Sequence, residues 1–315
     1  MLVVLAHPRW LVLALGGFLV RGGLLVLLAV ILPIPTTAGL ANALGPALVG
    51  FVFGGPSPAF LVLVGSVVVA LLAWLVLGGA LGAWLDLELI REALDDEDLV
   101  QHRVVGQIQG FPRRQPGPWR ALLVRLLAHV PTAAVIAWGS ARLVDQGYQE
   151  LIHPGDPTLP VAVRVILRVP DVVGLLVAAW VVGEAVGGLA IRQLAFGRGP
   201  WSSLPRAAWS LVRPSGLLVL VVTNAGVATI LALAGAAVAL AYDRARFVLL
   251  DGLGGGDRFL ALLLLSAIWI GSFVLVGLGV AWRSTAWTAE VAREYWRPTD
   301  HPDDRASTRL TPPGD

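Results

Sequence analysis

Six stretches of mostly apolar residues set the limits on what this chain can fold into: 10–33, 59–85, 122–144, 172–191, 216–242 and 259–282. About 20 such residues, wound as an α-helix, span the hydrocarbon core of a bilayer. In lipid the backbone must satisfy its own hydrogen bonds, so a chain with these stretches forms helices. The fold expected is therefore all-α: a polytopic transmembrane bundle of about six spans within a single domain over 1–297. Arg125 and His129 interrupt the third stretch, and Pro170 breaks the approach to the fourth. Residues 298–315 are polar and Pro-rich and read as a disordered tail.

Composition narrows the function classes. Hydrophobic residues make up 57% of the chain and charged residues only 14%, against about 25% charged in a soluble domain. That excludes a water-soluble enzyme or a disordered regulator as a reading of the whole chain. There is no cysteine, so thiol catalysis, disulfides and cysteine metal sites are excluded too. Every basic residue is arginine; with no lysine, neither a Schiff base nor a P-loop lysine is available. The arginines are scattered and the net charge is only +2, so nucleic acid is not an expected partner.

Arginine placement gives a topology. With both termini in the cytoplasm, fifteen arginines fall on the inner side and six on the outer. That bias predicts cytoplasmic termini and a bacterial plasma membrane location. Residues 1–10 lack a basic n-region, and no A-x-A site closes a short apolar segment. The first span is thus expected to stay as an anchor. The stretch 35–58 carries no charge and reads as an interfacial or re-entrant connection. The segment 86–120 reads as the large inner loop, its start LDLELIREALDDEDL continuing the second span as a helix. Between Pro160 and Pro170, VAVRVILRV places Arg164 and Arg168 four apart, on one face of an interfacial helix.

A repeat runs through the chain. Odd spans follow a tryptophan near arginine, at Trp10, Trp119 and Trp209. Even spans end on a glycine and then a charge, in GAWLD from Gly82, GLAIR from Gly188 and GVAWR from Gly279. The tryptophan-to-glycine separations are 72, 69 and 70 residues, which predicts three helical hairpins. Small-x-x-x-small pairs at Gly78/Gly82, Gly183/Gly187 and Gly277/Ala281 predict that the even helices converge near these glycines. Over residues 5–297, the three hairpins and their amphipathic lead-ins resemble a group of bacterial multi-pass proteins. These are distantly similar to the membrane domain attached to some glycerophosphodiester phosphodiesterases. The resemblance is one of pattern, and it implies no phosphodiesterase activity because no soluble catalytic domain is present.

Polar residues at membrane depth are the candidate site, because placing charge there is costly. Glu184 lies eight residues from Arg192, roughly 12 Å along its helix, and Arg21 lies 12 from Arg9, roughly 18 Å. With His129, Asn224 and Ser272 they form one predicted polar layer, with Arg125 just below. Glu184 is expected to pair with Arg21 or Arg125. The same residues suit a dry ion pair that fixes helix packing or a ligand or proton site, and only the latter lines a cavity.

No other pattern carries chemistry. Asp95-Asp96-Glu97-Asp98 lacks the spacing of a calcium loop, and DGLGGGD at 251–257 reads as a flexible connection. The five histidines show no paired ligand spacing, so neither a metal nor a cofactor is expected. The reading is a non-enzymatic membrane scaffold, accessory or lipid-binding protein, with membrane lipid and another membrane protein as partners. The alternative is a permease for a small or amphiphilic solute, built on the layer around Glu184. An enzyme acting on lipid head groups would need interfacial acids or histidines in a cluster, and none is evident.

Overall fold

The computed structural model describes residues 7–29, 31, 57–105, 116–153, 159, 161–250 and 254–296. The described chain is all-helical. Helix α1 is Pro8–Ala29, and α2 runs from Pro58 to Val105. A bent pair follows, α3 (Pro118–Ala128) and α4 (Val130–Ile152), and then the short α5 (Val161–Arg168). The rest are α6 (Pro170–Ala195), α7 (Pro200–Val212), α8 (Pro214–Leu250) and α9 (Gly255–Trp296). Five helices are long and apolar enough to cross a membrane, or six if α3 and α4 make one span. By length and composition these are the helices of a membrane protein.

Proline sets where the helices start. It opens α1, α3, α6, α7 and α8, where its missing N–H costs no intrahelical bond and its fixed φ suits the first turn. Pro214 also forces Arg213 into an extended conformation, which ends α7. Three spans are broken. A π-helical turn at Leu19–Gly23 interrupts α1, with Gly22 at φ 93°, a backbone state that glycine adopts freely. A second π turn at Trp74–Gly78 interrupts α2. Between α3 and α4 the chain bends by 46° at His129, with Pro131 in the first turn beyond.

Several sequence expectations change here. The second span continues as a helix past Leu85, as expected, and runs to Val105; what changes is that Asp86 lines the bundle instead of an inner loop. The arginine-rich segment after Arg192 is largely the helix α7, which packs on α6, α3 and α8. Gly255, Gly256 and Asp257 belong to the first turn of α9 and are not part of a flexible connection. The stretch 35–56 and the tail 298–315 lie outside the described residues.

Packing organises three buried clusters. Trp10, Ala14, Leu89, Val227 and Val276 join α1, α2, α8 and α9. Val124, Leu189, Phe196, Ala207 and Trp287 join α3, α6, α7 and α9. Ala83, Ile90, Leu122 and Ile191 join α2, α3 and α6. Helices α1 and α2 pack together, as do α6 and the α3–α4 pair, and α8 and α9. The even helices α2, α6 and α9 do contact one another, but the paired small residues themselves face α1 and α3. A Cβ on Gly82 would meet Arg21, one on Gly183 the Ala128 carbonyl and the His129 ring, and one on Gly277 Leu11 and Leu15. Outside these contacts the helices present aliphatic surface, as at Val62, Val69 and Leu77, which a bilayer would cover.

At the end of the bundle formed by α4 and α5, Arg164 and Arg168 do share a helix face. Both reach Glu150, which is 1% exposed, at 3.2 and 2.5 Å. Arg142 on α4 pairs with Asp171 at the start of α6, but both side chains are about half exposed. Water and salt screen such a pair. Arg142→Gln is expected to change stability by less than about 1 kcal/mol in detergent-solubilised unfolding. A larger loss would mean that the outer end is far less hydrated than the exposure of this pair implies.

A candidate anionic-ligand chamber

Where the three clusters meet, the packing leaves a cavity of about 30 Å³. Leu89 and Val280, Ile90 and Ile191, and Trp287 reach it from the three clusters in turn. Its polar wall is Arg21 from α1, Asp86 from α2, Arg125 from α3, Glu184 and Arg192 from α6, and Arg283 and Ser284 from α9. Local geometry explains these positions. The π turn and Gly22 displace α1 where Arg21 departs, and the bend at His129 follows Arg125 by one helical turn. On α6, Glu184, Gly188 and Arg192 are spaced i, i+4, i+8 and so share one face.

The ion pairs form a chain across helices. Arg125 donates from Nη2 to both oxygens of Glu184, at 3.0 and 2.7 Å, and from Nη1 to Asp86 at 2.8 Å. Arg21 donates to the same Asp86 oxygen. His129 turns Nε2 toward Glu184 at 3.5 Å and donates from Nδ1 to the Arg125 carbonyl at 2.9 Å. Two carboxylates thereby hold α1, α2, α3 and α6 together.

The other two arginines have only neutral partners. Arg192, 5% exposed, donates to the Gly188 carbonyl at 2.6 Å, to the Ser284 carbonyl and hydroxyl at 2.9 and 2.7 Å, and to the Thr288 hydroxyl at 3.1 Å. Arg283 donates to Asn224 Oδ1 at 3.3 Å. Both guanidinium groups lie over the ring of Trp287, at 5.3 and 5.4 Å from its centroid. Trp287 is itself fixed by a 2.8 Å hydrogen bond from its indole N–H to Thr223. Gly188 leaves room for that ring: a Cβ there would stand 2.6 Å from it. Gly188→Ala should therefore cost about 1–3 kcal/mol of stability by overpacking. An unchanged unfolding midpoint would show that Trp287 can move aside freely.

Five of the six sequence candidates gather here. Glu184, Arg21 and Arg125 line the cavity, His129 touches Glu184, and Asn224 is one step back through Arg283. Glu184 takes Arg125 as partner, and Arg21 takes Asp86. Ser272 does not join them. It hydrogen-bonds its own helix at the Ile268 carbonyl (2.8 Å), and it sits 11 residues from Arg283, roughly 16 Å along α9.

Sequence reasoning missed Asp86, Arg192 and Arg283, which it placed in loops. A signal for them existed. Each is four residues beyond the repeat glycine, Gly82, Gly188 or Gly279, and so one turn along the same face. Among the described residues no group of three His, Asp or Glu side chains is arranged to hold a metal ion. Compared with known proteins, the chain matches no family model, no curated protein and no solved structure.

Proposed function

We propose that this chain is a non-enzymatic multi-pass membrane protein that binds the polar head of a lipid or another small amphiphile in the Arg21–Arg283 chamber. One observation carries the reading: the charged layer lines a cavity, whereas an ion network serving only packing has no need of open space. The polar groups converge from five helices, so a bound ligand would couple all of them. The three-hairpin organisation belongs to the same proposal. It is supported by pairing of successive spans and by breaks at Leu19–Gly23, His129 and Arg213, each following a helix that starts on proline. Cytoplasmic termini and a bacterial plasma membrane location remain the reading of the arginine bias.

Two broken spans favour a permease as the second reading. Both α1 and the α3–α4 pair are interrupted next to the chamber, and transporters commonly place substrate sites at such breaks. Native mass spectrometry of the protein released from lipid nanodiscs tests the binding reading. The expected result is one adduct per chain that survives activation sufficient to strip bulk lipid, and that is weakened in Glu184→Gln. Loss of all adducts together with bulk lipid would instead leave the layer as a packing element. Uptake of an adduct-forming solute into proteoliposomes would move the assignment to the permease.

A further inference from the structure

We propose that the chamber is an oxyanion site, and that Arg192 and Arg283 take the phosphate group of its ligand. This rests on the ligand-binding reading above and adds the chemical class. Charge arithmetic within the chamber carries it. Four arginines and two carboxylates line the space, leaving two positive charges in excess. Both carboxylates are already engaged, Asp86 by Arg21 and Arg125, and Glu184 by Arg125 and His129. Neither Arg192 nor Arg283 forms an ion pair with a carboxylate among the described residues. Their partners are carbonyls, hydroxyls and one amide.

Arg192 is buried and Arg283 partly so; a buried guanidinium that keeps its charge without a counter-ion is unfavourable, and neutral acceptors compensate it only in part. The bundle supplies the anion for Arg21 and Arg125, whereas for the other pair a ligand must bring it. A planar guanidinium presents N–H groups in a fork that matches two oxygens of a phosphate, and two such forks suit a dianion. Trp287 lies near both guanidinium groups, and all three residues line the same cavity. Arg283 has a single hydrogen bond and therefore most of its five N–H donors available. The space admits a compact group and excludes a large solute.

Two sources offer this chemistry: free phosphate, and the head group of a phosphomonoester lipid. A second cavity of about 20 Å³ shares Trp287 as a wall and is lined by Leu189, Val219, Leu220 and Val291 together with Arg213 and Glu290, so it is too small and too polar to take an acyl chain.

The test uses the full chain and three probes: inorganic phosphate, phosphatidic acid, and diacylglycerol, which has the same chains without the phosphate. Binding is read by native mass spectrometry and by the shift in unfolding temperature. Arg283→Gln, Arg192→Gln and the surface control Arg142→Gln are run in parallel. The expected result is at least tenfold weaker binding of a phosphate probe in Arg283→Gln and Arg192→Gln, with the control unchanged. Arg283→Gln removes one hydrogen bond where Arg192→Gln removes four, so the Arg283 variant is expected to fold if Arg192→Gln fails. If inorganic phosphate suffices, the ligand is a free anion; if only phosphatidic acid binds, it is a lipid. Both outcomes support the site. Diacylglycerol binding as tightly as phosphatidic acid, or phosphate probes indifferent to Arg283→Gln, would overturn the oxyanion site while leaving lipid binding intact. Absence of every adduct would overturn both readings.

Discussion

Asp86→Asn should destabilise the protein by about 3–5 kcal/mol, as expected when one partner of a buried charge pair is removed. The amide keeps the shape of the carboxylate and withdraws its charge from two arginines at once, Arg21 and Arg125. Arg21 then has no carboxylate, and the excess positive charge in the chamber rises from two to three. These side chains are about a fifth exposed or less, so water compensates only partly. Unfolding in bicelles, with helix content as readout, measures the loss. The double variant Asp86→Asn with Arg21→Gln should recover part of it, because the second change removes the stranded charge. Added phosphate should stabilise Asp86→Asn more than the parent, since the chamber becomes more positive. A loss below about 1 kcal/mol would mean that the network is solvated and does not bind the helices together.

Trp287→Ala is expected to cost about 3–5 kcal/mol, the range for truncating a large buried aromatic. The ring is 4% exposed, donates to Thr223 and supports both uncompensated arginines. It also lines both cavities, so its loss merges them. Trp287→Phe keeps most of the plate and loses the hydrogen bond, at about 1 kcal/mol. The order parent, Phe, Ala in unfolding midpoint checks the account. Equal midpoints for Phe and Ala would place the energy in the Thr223 bond and not in the ring.

Much of the architecture was legible in residue order. Long apolar runs with no charge, or with one as at Glu184, have one stable form in lipid, so the helices at 172–191, 216–242 and 259–282 could be read directly. Prolines at 118, 170 and 214 stand within a few residues of the expected span starts and open helices there, since a fixed φ and a missing N–H act locally, whereas Pro200 opens α7 in a segment not read as a helix. Helix ends were less legible. The helix through LDLELIREALDDEDL was legible, and α2 does continue for nearly 20 residues past Asp86, but Asp86 read as a residue of an inner loop and not of the bundle. A charge ends an apolar run without ending a helix, and whether it is solvated depends on what packs beside it.

The candidate site divides along the same line. Glu184 and Arg21 were visible because each is a single charge inside an apolar run, and desolvation makes such a residue conspicuous whatever its neighbours. Ser272 satisfied the same depth arithmetic but lies apart from the chamber, its hydroxyl bonded back to its own helix, as a serine can be without a partner elsewhere. Residue order therefore determined an all-helical chain, where its helices begin, and that charge lies among them, since these follow from local backbone chemistry and from the cost of polar groups in lipid. Tertiary structure alone decided that Asp86 satisfies two arginines, that Arg192 and Arg283 form no ion pair with a carboxylate among the described residues, and that all of them line one cavity. Partner choice depends on the rotation and bend of each helix against its neighbours, and the π turn at Gly22 and the bend at His129 set those angles.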